Sequence, residues 1–128
     1  MVLVDTSIWI RSLANRPPYT VELARLLDLE EVTGHEFVYG ELLIGDRGGR
    51  AKFLAAYERM HQAETIPHRD VVAFVRHRDL HGRGVGWIDV HLLASAIVGR
   101  MQLWTADPRF FAVAKNLGVA YQAPGSKH

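Results

Sequence analysis

Val2-Leu3-Val4-Asp5-Thr6-Ser7-Ile8-Trp9-Ile10 decides how the rest of the chain is read. Val2-Leu3-Val4 is a short β-branched run, apolar at every position, and this pattern predicts a strand buried on both faces of a parallel sheet. The polar trio Asp5-Thr6-Ser7 ends the run and suits the start of a helix at Ile8. Asn15-Arg16-Pro17-Pro18 breaks that helix.

Outward from this opening, strands and helices alternate. Apolar residues at Val21, Leu23, Ala24, Leu26 and Leu27 predict an amphipathic helix from Thr20. A second short strand is expected within Glu31–Gly34 and a helix over His35–Ile44, stopped by Gly45. Ala51–Met60 reads as helix, Glu64–Pro67 as a third, edge-like strand, and Val71–Leu80 as an amphipathic helix. A glycine-rich loop, Gly82–Gly86, leads through Trp87-Ile88-Asp89 into an apolar helix over Val90–Val98. Met101–Thr105 is expected as strand, Phe110–Asn116 as helix and Val119–Tyr121 as a final strand. This order predicts an α/β fold with a short, mostly parallel central sheet. In such sheets ligands bind beyond the carboxyl ends of the strands. Asp5 and Asp107 each follow an apolar strand, so both are expected at one sheet edge.

The chain has 128 residues, enough for one domain of ordinary size. We expect a single unit over residues 1–123 and a loose tail over 124–128. Apolar residues make up 48% and the formal charge is +1, which excludes a disordered or polybasic chain. Cysteine is absent, so disulfides, thiolate metal sites and cysteine nucleophiles are excluded. No stretch approaches the roughly 20 apolar residues of a membrane span, and the N-terminus lacks a signal peptide's pattern. A cytoplasmic protein with no membrane association is the expectation.

Four carboxylates stand in apolar surroundings: Asp5, Glu41, Asp89 and Asp107. They lie too far apart in the chain for local ion pairs, so only folding can gather them. Gathered carboxylates repel one another and resist desolvation, and a divalent cation removes both penalties. Oxygen ligands suit magnesium or manganese (Mg2+ or Mn2+), and an ion so held activates water for attack on a phosphodiester. Each acid also has a plainer reading. Asp5 and Asp89 suit helix N-caps, Glu41 a solvated helix face, and Asp107, before Pro108, a turn.

The opening Val2–Ile10 resembles that of the PIN-domain ribonucleases, in particular the VapC toxins of toxin–antitoxin pairs. Gly40-Glu41-Leu42-Leu43-Ile44-Gly45 is similar to the family's Glu-Leu-x-x-Gly block. The stretch from Gly84 through Asp89 to Ala96 is similar to its third block, and Leu103–Phe110 to its Thr-x-Asp-x-x-Phe block. The four stand in family order across residues 2 to 110. The resemblance implies a three-layer α/β/α PIN-like domain and a metal-dependent endoribonuclease. Asp5, Glu41, Asp89 and Asp107 would form its catalytic and metal-binding site, with Thr6 and Thr105 as supporting hydroxyls. It also implies a VapB-like antitoxin as partner, a homodimer, and an RNA substrate such as tRNA or ribosomal RNA. Asp46–Leu80 carries no family signature.

Arg83 and Arg109 are the RNA-contact candidates, since arginine meets phosphate with a forked pair of donors; surface ion pairing is the plain alternative. Trp9, Trp87 and Trp104 are expected in the core rather than stacked on bases. His35-Glu36 begins a zincin-like pattern, but Tyr39 replaces its second histidine, and Gly82–Gly86 lacks the Gly-Lys-Ser/Thr of a phosphate loop. A receiver domain needs an acidic pair near the first strand and a lysine after a late one, and neither is present. Ser7 contradicts the Asp-x-Asp opening of a haloacid dehalogenase-type phosphatase. A PIN fold with an inactive site, used only for RNA binding or signalling, is the remaining alternative.

Overall fold

The computed structural model describes residues 1–125. Of the tail expected over 124–128, residues 126–128 lie outside the described residues. Elements follow the order β1 (Val2–Val4), α1 (Thr6–Leu13), α2 (Tyr19–Asp28), β2 (Val32–Thr33), α3 (Glu36–Ile44), α4 (Ala51–Glu58), α5 (His68–His77), α6 (Trp87–Gly99), β3 (Gln102–Trp104) and α7 (Pro108–Asn116). The sheet has the order β2-β1-β3 and is parallel throughout. β1 is central: Leu3 pairs with Thr33 on one side and Leu103 on the other. All three β1 residues are buried, as a strand covered on both faces requires. The result is the α/β/α layering expected from the resemblance.

Two expected strands do not form: one shrinks to a single bridge and the other is replaced by a bridge earlier in the chain. Val119–Tyr121 meets the sheet only where Ala120 bridges Leu103. β3 spends its outer residues on β1: Gln102 N–H donates to Met1 O, and Trp104 O accepts from Asp5 N–H. Leu103 alone turns its groups to the other side, donating to Val119 O and accepting from Tyr121 N–H. A strand of three residues therefore has room for one bridge on its far edge. The strand expected over Glu64–Pro67 is likewise absent. Pairing occurs earlier, where Gly34 N–H donates to His61 O and Gly34 O accepts from Ala63 N–H, both at 2.8 Å. Glu64 O instead accepts from the Ser95 hydroxyl at 2.6 Å. Gly34 is needed here: a Cβ would sit 2.7 Å from Gln62 Nε2 and 3.0 Å from the Tyr57 ring.

Trp9 (3% exposed) packs against Phe53 and Tyr57, and Trp104 (4%) against Tyr121, both in the core as expected. Trp87 departs from that expectation, being 43% exposed. It opens α6, one turn before the helix becomes fully buried from Val90 to Ala96, so only part of its ring is covered. Among the described residues no helix is long and apolar enough to cross a membrane.

Candidate active site

Asp5 is the first residue beyond β1, and its N–H donates to Trp104 O at 2.9 Å. That bond ties the ends of β1 and β3 together and sets Asp5 beside Thr105. Asp5 occupies the N-cap position of α1, yet its carboxylate makes no capping bond. Oδ2 accepts instead from the hydroxyls of Ser7 at 2.7 Å and Thr105 at 2.8 Å. Both donors are placed by the backbone in turn: Ser7 Oγ accepts from Ala106 N–H, and Thr105 Oγ1 from Asp107 N–H. The plain capping role is thus excluded for Asp5.

Glu41 reaches the same edge from α3, accepting the Thr6 hydroxyl on Oε1 at 2.6 Å. A solvated helix face does not describe it, whereas Glu36 on the same helix is exposed. Asp107 does cap α7, accepting from Arg109 N–H at 2.9 Å and Phe110 N–H at 3.3 Å through one oxygen, Oδ1. Its plain reading is correct and leaves Oδ2 for other work. Asp89, in the first turn of α6, accepts from Gly86 N–H at 3.0 Å through Oδ2.

Electrostatics joins these groups. The Asp89 carboxyl is pushed up to about 6 from 3.8. Burial is the largest cause, opposed by the Gly86 N–H, and the charges of Asp5, Asp107 and Glu41 each push it further up. The fold therefore brings all four acids into one field. Hydroxyls bond two of them, Asp5 and Glu41, and among the described residues no three His, Asp or Glu groups converge tightly enough to enclose an ion directly.

Thr6 and Thr105 are both buried and both bonded to a carboxylate. Ser7 was assigned only to a polar helix start, and it proves to be a donor to Asp5. The signal was its place two residues beyond the strand-ending carboxylate. Arg83 is exposed on the glycine loop. The Arg109 side chain lies across that same loop: a Cβ on Gly84 would stand 2.7 Å from Arg109 Cδ, and Gly84 has φ +81°. The two guanidinium residues thus attend one loop, the one that leads into Asp89.

A parallel sheet of this order, with Asp5 and Asp107 beyond its strand ends, fits a PIN-type domain. The PIN domain profile matches residues 2–116, and the chain belongs to that family, among its VapC-type ribonucleases. It is 39% identical over 121 residues to Ribonuclease VapC32 of Mycobacterium tuberculosis, covering 94% of this chain and 95% of that protein. It is 33% identical over 129 residues to Ribonuclease VapC19 of the same organism, covering 94% of this chain and 100% of that protein. Its fold resembles the crystal structure of FitAcB from Neisseria gonorrhoeae, with a TM-score of 0.61 and 23% identity over 97% of this chain and 98% of that one.

Proposed function

We propose that this protein is a Mg2+- or Mn2+-dependent endoribonuclease, the toxin of a VapBC-type pair, cutting tRNA or ribosomal RNA and so halting translation and growth. One observation carries the reading: Asp89 resists ionisation, first because it is buried and further because Asp5, Asp107 and Glu41 add their negative charge. A pocket that is unfavourable when fully ionised favours a dication. The donor set fits: every candidate ligand is a hard oxygen, and magnesium is held through one or two carboxylates with water completing its shell. Acids that do not close into a tight protein cage suit that habit.

Asp5 and Asp89 are the assigned ligands, with Glu41 and Asp107 completing the site. A bound dication supplies an activated water and a counter-charge for the phosphoryl oxygens. The chain's own residues do the rest. Ser7 and Thr105 hold Asp5 in one orientation, and Thr6 does the same for Glu41. Arg83, on the loop before α6, and Arg109, at the start of α7, draw the RNA backbone toward the acids. Water attack expelling the 3′ oxygen leaves a 5′ phosphate and a 3′ hydroxyl. We assign this activity to residues 1–123 as one unit, working in the cytoplasm as a homodimer restrained by a VapB-like antitoxin.

The test is to incubate purified protein with total RNA in magnesium, manganese or chelator. Cleavage in either metal and none in chelator is expected, with Asp5→Asn inactive. Cleavage that survives both chelator and Asp5→Asn contradicts the proposal.

A further inference from the structure

Beside the acids, between α3 and α6, lies an open slot of about 430 Å³. Phe37, Ile44, Trp87 and Ile88 give it apolar walls, and its charged groups are the carboxylates Glu36 and Glu41. Glu41 belongs to both the slot and the acidic pocket, and Trp87 and Ile88 immediately precede Asp89.

Two features point to an occupant from outside the chain. The first is Trp87, the one exposed tryptophan, whose ring is nevertheless held. His91 meets it edge-on, with centroids 5.1 Å apart at 85°, and His68 lies 5.2 Å away at 55°. An exposed aromatic ring held in place by two neighbours can serve as a stacking platform. The second is Gly40. Glycine weakens a helix interior, and this one sits inside α3. Nothing lies within 4 Å of where its Cβ would be, so no neighbour in this chain requires the omission. The space left bare opens on the slot.

We infer that this slot takes one unpaired nucleobase of the RNA, stacked on Trp87, next to the phosphodiester to be cut. The inference rests on the ribonuclease assignment above. Charge and shape favour the base over the backbone, since Glu36 lies outside the dication pocket and repels a phosphate, while the apolar walls suit a flat, uncharged, π-faced group. Stacking of a base on an aromatic side chain is tolerant of sequence and adds substantial affinity. The slot therefore acts as a positioning subsite that sets where along a single strand the cut falls.

The test uses Trp87 as its own probe, because Trp9 and Trp104 are buried. A single-stranded hexaribonucleotide is titrated into Asp5→Asn protein in magnesium while tryptophan emission is read. Quenching that saturates, and that Trp87→Phe abolishes, is expected. In wild-type background Gly40→Leu fills the slot without straining the helix. It should raise KM about tenfold with kcat little changed and Tm unchanged or higher. Emission and KM that stay constant while wild-type protein cuts RNA overturn the inference and leave the ribonuclease assignment intact. Quenching by the hexamer when wild-type protein cuts no RNA overturns the ribonuclease assignment, and with it the placement beside a scissile bond, leaving only a base-binding slot. A protein partner that covers Trp87 when RNA does not assigns the slot to that partner and also overturns it.

Discussion

Thr105 donates its hydroxyl to Asp5 at 2.8 Å, joining residues from opposite ends of the chain. The same oxygen accepts from Asp107 N–H at 3.1 Å, so one buried hydroxyl orients one acid and positions the backbone of another. Thr105→Val keeps the shape and removes both bonds. Lost support of this kind lowers metal affinity or activity by about 10- to 100-fold. Calorimetric titration with Mn2+ and initial cleavage rates check it; a variant within twofold of wild type would remove Thr105 from the site.

Ser7→Ala deletes the second donor to Asp5 and orphans the Ala106 N–H. An effect comparable to that of Thr105→Val is expected. The double variant should lose less than the sum of the two, since both act through the same carboxylate. Full additivity would mean that the hydroxyls work independently.

Asp89 gives a signed pH prediction. Its folded pKa, about 6, exceeds the ordinary 3.8, so the folded state favours the protonated form. The metal-free protein has this group's stabilising contribution in full below about 3.8 and loses it as pH rises through about 6. A dication binds only the carboxylate. The rise in Tm on adding magnesium should therefore be larger at pH 7.5 than at pH 5. Asp89→Asn should shrink that difference and raise the metal-free Tm at pH 7.5.

His35 titrates with the opposite consequence. Burial first, and His91 next, push it down to about 4 from 6.5, with Glu36 opposing. Its Nδ1 accepts from Phe37 N–H at 3.0 Å, capping α3, which leaves Nε2 to donate to Ser95. Protonation ends the cap on the helix that carries Glu41. Stability is complete above about 6.5 and falls as pH drops toward about 4. Acid denaturation followed by circular dichroism reads this slope, and His35→Asn, which keeps a capping acceptor, should flatten it.

Gly34→Ala tests the close approach at the sheet edge. The added methyl meets the Tyr57 ring at 3.0 Å, and relieving such a contact costs about 1–3 kcal/mol. Urea denaturation measures it, and no loss would mean that the Tyr57 side moves freely.

Most of the scaffold was legible because its signals are local. Val2-Leu3-Val4 announces a strand with two covered faces, and Gly45 marks the helix stop. The four acids stood out by their apolar neighbours. Single bridges did not show, since whether Ala120 or Gln62 pairs depends on which groups β3 and Gly34 have left over. Ser7 was hidden because a hydroxyl after a strand reads equally as a cap. The exposure of Trp87 was hidden as well, because an aromatic at a helix start looks the same whether or not another element covers it.

The central claim is that Asp5, Glu41, Asp89 and Asp107 form one dication pocket. Its most direct measurement is Mn2+ binding by titration calorimetry to wild type and to Asp5→Asn, Glu41→Gln, Asp89→Asn and Asp107→Asn. Wild type should bind, Asp5→Asn and Asp89→Asn should lose binding, and the other two should weaken it. Equal binding by all five proteins would contradict the claim.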